Sequence, residues 1–101
     1  MIPSNQEQIV IAIHNVEHPA ISMSLVDLGM VRDIQVKEKE VTMTFVLPFS
    51  AIPQAVRDHI INSLRNAVTA TGGTVKDVKV EVMTDEERQS FLQKEQANWK
   101  G

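Results

Sequence analysis

The chain has 101 residues, 43% hydrophobic and 23% charged, with no cysteine. That length suits a single domain, residues 1–101, able to bury roughly 60–70% of its unfolded surface without cross-links. The lack of thiols excludes disulfides, zinc–thiolate sites, a cysteine nucleophile and metal clusters held on the chain's own thiolates. Ten basic and thirteen acidic side chains leave a formal charge of −3, which gives phosphate-driven nucleic-acid binding no electrostatic support. The longest apolar run, Ile9 to Ile13, is far short of a membrane span. No charged-then-apolar signal opens the sequence, and together these features point to the cytoplasm.

The first element reads as a helix. Ser4 and Glu7 have capping-box spacing, and Ile9, Ile13 and Val16 recur at helical intervals, flanked by Val10 and Ala12. The β-branched run Ile9-Val10-Ile11 also fits a strand. Pro19 disfavours helical geometry at His18 and ends the element there or earlier. Residues 20–29 read as a loop with two apolar anchors, Leu25 and Leu28, before Gly29.

A hairpin follows. In its first strand Met30, Ile34 and Val36 share one face, and Val31, Asp33 and Gln35 the other. Arg32 falls on the core parity, so it is expected at an edge with its stem packed and its head in water. Lys37 to Glu40 is a charged connection. Val41, Met43, Phe45 and Leu47 then alternate with Thr42, Thr44 and Val46 until Pro48, which cannot donate to a ladder.

Ser50 is an expected N-cap, with Pro53 tolerated in the first turn of a long helix. Ile52, Val56, Ile60, Leu64 and Val68 recur every fourth residue, and Gly72-Gly73 provides a left-handed stop. Val78, Val80 and Val82 alternate with Lys79 and Glu81, giving a third strand. Thr84 and Glu87 form a second capping box ahead of a surface helix over roughly residues 85–98. The order is α-β-β-α-β-α. One apolar parity per strand means helices on one sheet face only, and the crossover through the long helix makes the second and third strands parallel. The expected fold is α/β of the α+β type, a two-layer sandwich with a small mixed three-stranded sheet.

Candidate chemistry is sparse. His14, Glu17 and His18 spell H-x-x-E-H, the inverted zinc-peptidase signature, which needs both histidines on one helical face and a third ligand. Pro19 spoils the helix at that point, and the plain reading is a polar helix end. His59 borders the apolar stripe of the long helix and reads as a packed or solvent-edge residue. Ser24 and Ser50 lack the Gly-x-Ser-x-Gly setting of a nucleophile, and Gly29, Gly72 and Gly73 make no phosphate loop. In Asp27-Leu28-Gly29-Met30-Val31 the carboxylate suits an Asx turn, with a direct role at a site as the alternative. That segment and the Pro48–Pro53 loop are placed to line one shallow site at the start of the long helix.

The stretch Val16-Glu17-His18-Pro19, continued by Ser24-Leu25-Val26-Asp27-Leu28-Gly29-Met30-Val31-Arg32-Asp33-Ile34, resembles the D-P-E…S-I-V-D-L-G-L-V-R-x-I signature of small iron–sulfur cluster assembly domains. These are the SufT/PaaD-like, or metal–sulfur cluster biosynthesis, proteins. The likeness runs on through V-T-M-T-F and G-G-T-V-K-D-V-K-V-E-V, over roughly residues 6–84. Two departures stand out. Asn15-Val16-Glu17 replaces the usual Asp-Pro-Glu, and Ile52 stands before Pro53 where such proteins carry a reactive cysteine.

The resemblance implies a non-enzymatic accessory protein of iron–sulfur cluster assembly or metalloprotein maturation, acting through protein contacts and carrying no cofactor of its own. The expected partners are the assembly machinery or client metalloproteins, with a homodimer allowed, while the charge balance and short apolar runs point to no nucleic acid and no membrane. Glu17, Asp27, Ser50 and Ile52 are expected to border the functional surface. The alternatives are a metal-binding protein or hydrolase using His14, Glu17 and His18, and a plain interaction module using the polar sheet face.

Overall fold

The computed structural model describes residues 5–100. The Ser4 half of the first expected capping box lies outside them. The elements are α1 (Asn5–His14), β1 (Val31–Lys37), β2 (Glu40–Leu47), α2 (Gln54–Ala70), β3 (Thr74–Val82) and α3 (Asp85–Asn98). The sheet order is β1-β2-β3, with β1 antiparallel and β3 parallel to the central strand. This is the α-β-β-α-β-α sandwich that the hydrophobic pattern predicts.

The core forms where apolar parities meet. Val41, Met43, Phe45 and Leu47 of β2 are buried together with Ile9 and Ile13 of α1 and Ile60, Leu64 and Val68 of α2. The ambiguous Ile9-Val10-Ile11 run is therefore helical. Its helical spacing buries Ile9 and Ile13 and leaves Ile11 exposed. Between α1 and β1, residues 16–30 pack inward through Ile21, Leu25, Leu28 and Met30. At the end of α2, Gly72 has a φ of 86°, and the N–H groups of Gly72 and Gly73 bond the carbonyls of Thr69 and Val68. Gly73 is also a point of close approach. A Cβ there would lie 2.9 Å from the Ile9 side chain and 3.2 Å from the Lys39 carbonyl.

Four local expectations are corrected. First, β1 does not alternate strictly. Its register against β2 shifts between Arg32 and Gln35, where Asp33 has a φ of 54°. This bulge lets Val31 join Ile34 and Val36 against the core, while Arg32 lies opposite Thr44 on the open face. Second, Ser50 is not the N-cap of α2. That position is Pro53, no side chain caps the helix, and exposed Ser50 sits in the preceding turn. Third, β3 begins at Thr74, and only the early part of its core face is covered. Val75 and Val78 pack against the core, whereas Val80 and Val82 are 51% and 45% exposed. Fourth, the stripe of α2 opens at its first turn, where Val56 is 40% exposed.

On the open face, Arg32 reaches across β2 to Glu81 of β3, and its second amino group donates to Glu87 of α3 at 2.7 Å. Beneath this span Thr44 and Val46 are buried although they carry the solvent-side parity of β2. Glu87 also completes the capping box with Thr84, and those bonds and the Arg32 charge hold its carboxyl below the usual glutamate range.

Burial sets the first prediction. Ile60→Ala and Leu64→Ala should each lower unfolding stability by roughly 2–5 kcal/mol, because both side chains fill the helix–sheet core. Urea titration checks this, and near-neutral values at both positions would contradict the core assignment.

Candidate functional site

The segment before β1 is built from two small devices. Glu17 and Ser24 form an antiparallel bridge, with the His18 N–H donating to Met23 O at 3.1 Å and the Leu25 N–H to Val16 O at 2.9 Å. Ser24 then starts a single helical turn. Its hydroxyl accepts from the Asp27 N–H at 3.1 Å, and its carbonyl accepts from the Leu28 N–H. Gly29, with a φ of 80°, closes the turn. Its N–H bonds Val26 O at 3.0 Å, and the Met30 N–H bonds Leu25 O at 2.9 Å, the paired bonds of a Schellman end.

The turn is thus made by Ser24, and the expected Asx role of Asp27 is taken by a neighbour. Among the described residues no hydrogen bond or ion pair occupies the exposed Asp27 carboxylate. The sequence does carry a signal for this. Ser24 and Asp27 have the Ser-x-x-Asp spacing of a helix start, and Gly29 marks a stop.

The three residues of H-x-x-E-H do not share a helical face. α1 ends at His14, whose Nδ1 lies 2.9 Å from Val10 O and donates to it. Exposed Glu17 approaches Lys100 at 3.6 Å. His18 turns back on its own backbone, its Nδ1 accepting the Ala20 N–H at 3.0 Å. Burial, with Lys100 nearby, holds its pKa below 6.5. Among the described residues no group of three or more His, Asp or Glu side chains gathers as a metal site. None of the described helices is long and apolar enough to cross a membrane.

Ser50 is exposed at the other end of the candidate surface, and Ile52 packs partly against the core. Beside them Phe49 is 44% exposed, with the Arg88 guanidinium 5.5 Å from its ring centroid. What joins the loops is α3, whose importance the sequence reading missed. Arg88 donates to Pro48 O at 2.7 Å and to Met83 O at 3.2 Å. Lys94 donates to Asp27 O at 2.8 Å. Near the end of the helix the Ser22 N–H bonds Asn98 O at 2.7 Å, and Lys100 N–H bonds Ala20 O at 3.1 Å. Asp27 thus lies at Lys94 of α3 and Glu17 at Lys100 just beyond its end, while Arg88 holds Pro48, two residues before Ser50.

The architecture defines a small α/β domain whose candidate surface is made of loops. A family model described as iron–sulfur cluster assembly protein matches residues 6–82, about three quarters of the chain. The chain belongs to that family. The match ends with β3, so α3 lies outside it. No curated protein matches the chain significantly.

Two predictions follow from this geometry. Ser24→Ala should cost about 1 kcal/mol through loss of the turn's cap, whereas Asp27→Asn should leave the melting temperature nearly unchanged. Thermal denaturation of the two variants separates the roles, and the reverse ranking would return the turn to Asp27. His18 generates the second. Its folded pKa is depressed, so the unfolded state binds more protons once pH falls below about 6.5. Stability should therefore decline from pH 7 to pH 5. In His18→Asn, which keeps an acceptor for Ala20 without a titrating ring, the decline should be smaller; equal declines would remove His18 as a source.

Proposed function

We propose that the chain serves iron–sulfur cluster assembly, the role that its family membership supports, as a cytoplasmic accessory protein of the SufT/PaaD-like kind. It acts through contacts with the assembly machinery or with client metalloproteins, neither holding a cluster nor catalysing a reaction. The cluster is then cargo or product of its partners.

The observation that carries this reading is the donor set. Protein ligands of such clusters are overwhelmingly thiolates, and this chain has three histidines and no cysteine. Ile52, at the position where the resemblance implies a reactive thiol, offers a hydrocarbon side chain packed partly against the core. His14 and His18 are each turned toward a nearby main-chain group, and His59 is exposed on α2. Such residues do not suit a resident cluster. The exposed Asp27 carboxylate, presented on a turn that other groups hold, is suited to recognition by a partner.

Anaerobic reconstitution with iron and sulfide tests the proposal together with affinity capture from the native organism. After desalting, the protein should carry no visible chromophore. Tagged protein should retain a cysteine desulfurase, scaffold or carrier ATPase, and Asp27→Asn should weaken that retention without lowering the melting temperature. A stable chromophore at one cluster per chain or per dimer would overturn the proposal.

A further inference from the structure

β3 bonds β2 on one side only, and it ends the sheet. Met83 N–H donates to Leu47 O at 2.8 Å, so the odd-numbered residues of this stretch direct their main-chain groups at β2. Successive residues of a strand direct those groups to opposite edges, so Val78, Val80 and Val82 present theirs to the free side. On the helix-covered face of the sheet, Val80 and Val82 are 51% and 45% exposed. Val56, at the start of α2, is 40% exposed, and Phe49, just past the end of β2, is 44% exposed. Apolar surface and unpaired main chain occur together here.

The other edges are blunted. β1 carries the Asp33 bulge, and the early part of β3 shifts register at Lys76, between the pairs Val41–Val75 and Thr42–Asp77. From Val78 to Val82 the register is regular. We propose that this segment pairs antiparallel with the same segment of a second copy, centred on Val80, about a two-fold axis perpendicular to the sheet.

Charge and the bulge together select the register. With Val80 opposite the partner's Val80, each Lys79 faces the partner's Glu81 and each Val78 the partner's Val82. The Lys–Glu pairs occupy the non-hydrogen-bonded positions, where side chains approach most closely. Glu81 is available for this, because one carboxylate oxygen takes Arg32 and the other is left for Lys79. Sliding the partner so that Lys79 meets Lys79 sets Asp77 against Glu81, and sliding it the other way sets Glu81 against Glu81. A slide that centres Val78 also pairs Lys79 with Asp77, but it opposes Lys76 of the bulge to Val80 and breaks the run of facing valines. Only the Val80-centred arrangement pairs opposite charges on one face and valines on the other. It yields a six-stranded sheet with the α2 helices of both copies on the same face, above the joined valines.

Sedimentation equilibrium over a micromolar concentration series tests this. The native chain should dimerise reversibly. Val80→Pro removes an N–H that β2 does not use, and Lys79→Glu sets like charges against Glu81. Each should weaken dimerisation about tenfold or more, with circular dichroism and melting temperature of the dilute monomer retained. Mixing Lys79→Glu with Glu81→Lys should restore a dimer, because both cross-strand pairs then join opposite charges. A monomer at every concentration would overturn the proposal, as would a dimer unaffected by Val80→Pro and Lys79→Glu. So would mixed variants that fold and fail to pair. If Glu81→Lys does not fold, the other two variants decide.

Discussion

The open face of the sheet depends on the bulge at Asp33. A non-glycine residue in the left-handed region costs roughly 1–2 kcal/mol, and here that cost fixes the aim of the residues on either side. With strict alternation, Val31 would face solvent and Arg32 would point its charge at the core. The extra residue places Val31, Ile34 and Val36 inward and swings Arg32 outward. Arg32 then crosses the central strand to Glu81 and reaches Glu87 of α3. Exposed ion pairs contribute little on average. The larger effect of this one is coverage, because the arginine stem spans β2 where Thr44 and Val46 are sealed from water.

α3 is the second organising element, and it is held in an unusual way for a helix packed on a small domain. Phe91 is its one buried large side chain, Leu92 packs partly against the core, and much of the remaining attachment is polar. Its capping box fixes where it starts. Arg88, Lys94, Asn98 and Lys100 then tie it successively to the end of β2, the Ser24 turn and the Glu17–Ser24 bridge. The iron–sulfur assembly family model matches residues 6–82, and the segment beyond it holds loops of the candidate surface in place.

Much of the fold was legible because the pattern of apolar residues and the local backbone agree along most of the chain. The fourfold spacing of Ile60, Leu64 and Val68 and the alternation of β2 each have one consistent reading, and both are realised. Legibility failed where a single backbone angle or a distant segment decides. Strict parity cannot reveal that Asp33 adopts a positive φ, although aspartate tolerates one better than most residues. Nor does the alternation of Val78, Val80 and Val82 tell which of them a helix covers, since that depends on where α2 begins. At the candidate site the Ser24–Asp27 spacing was present to be read. The contributions of Arg88, Lys94 and Lys100 were not, because each reaches a carbonyl far away in sequence, and a carbonyl has no residue type.

Contacts addressed to main-chain oxygens govern how such a surface can change. Arg88, Lys94 and Lys100 grip main-chain oxygens at Pro48, Met83, Asp27, His18 and Ala20, and the Ser22 N–H closes the set from the loop side. A clamp addressed to the backbone is indifferent to which side chains the loops display. Position 27 can exchange its carboxylate for another group while the same carbonyl stays in the grip of Lys94, and Ser50 stands clear of the Arg88 contact. The scaffold thereby separates the shape of the loops from their chemistry, so the recognition face can be rewritten residue by residue without renegotiating the fold that presents it.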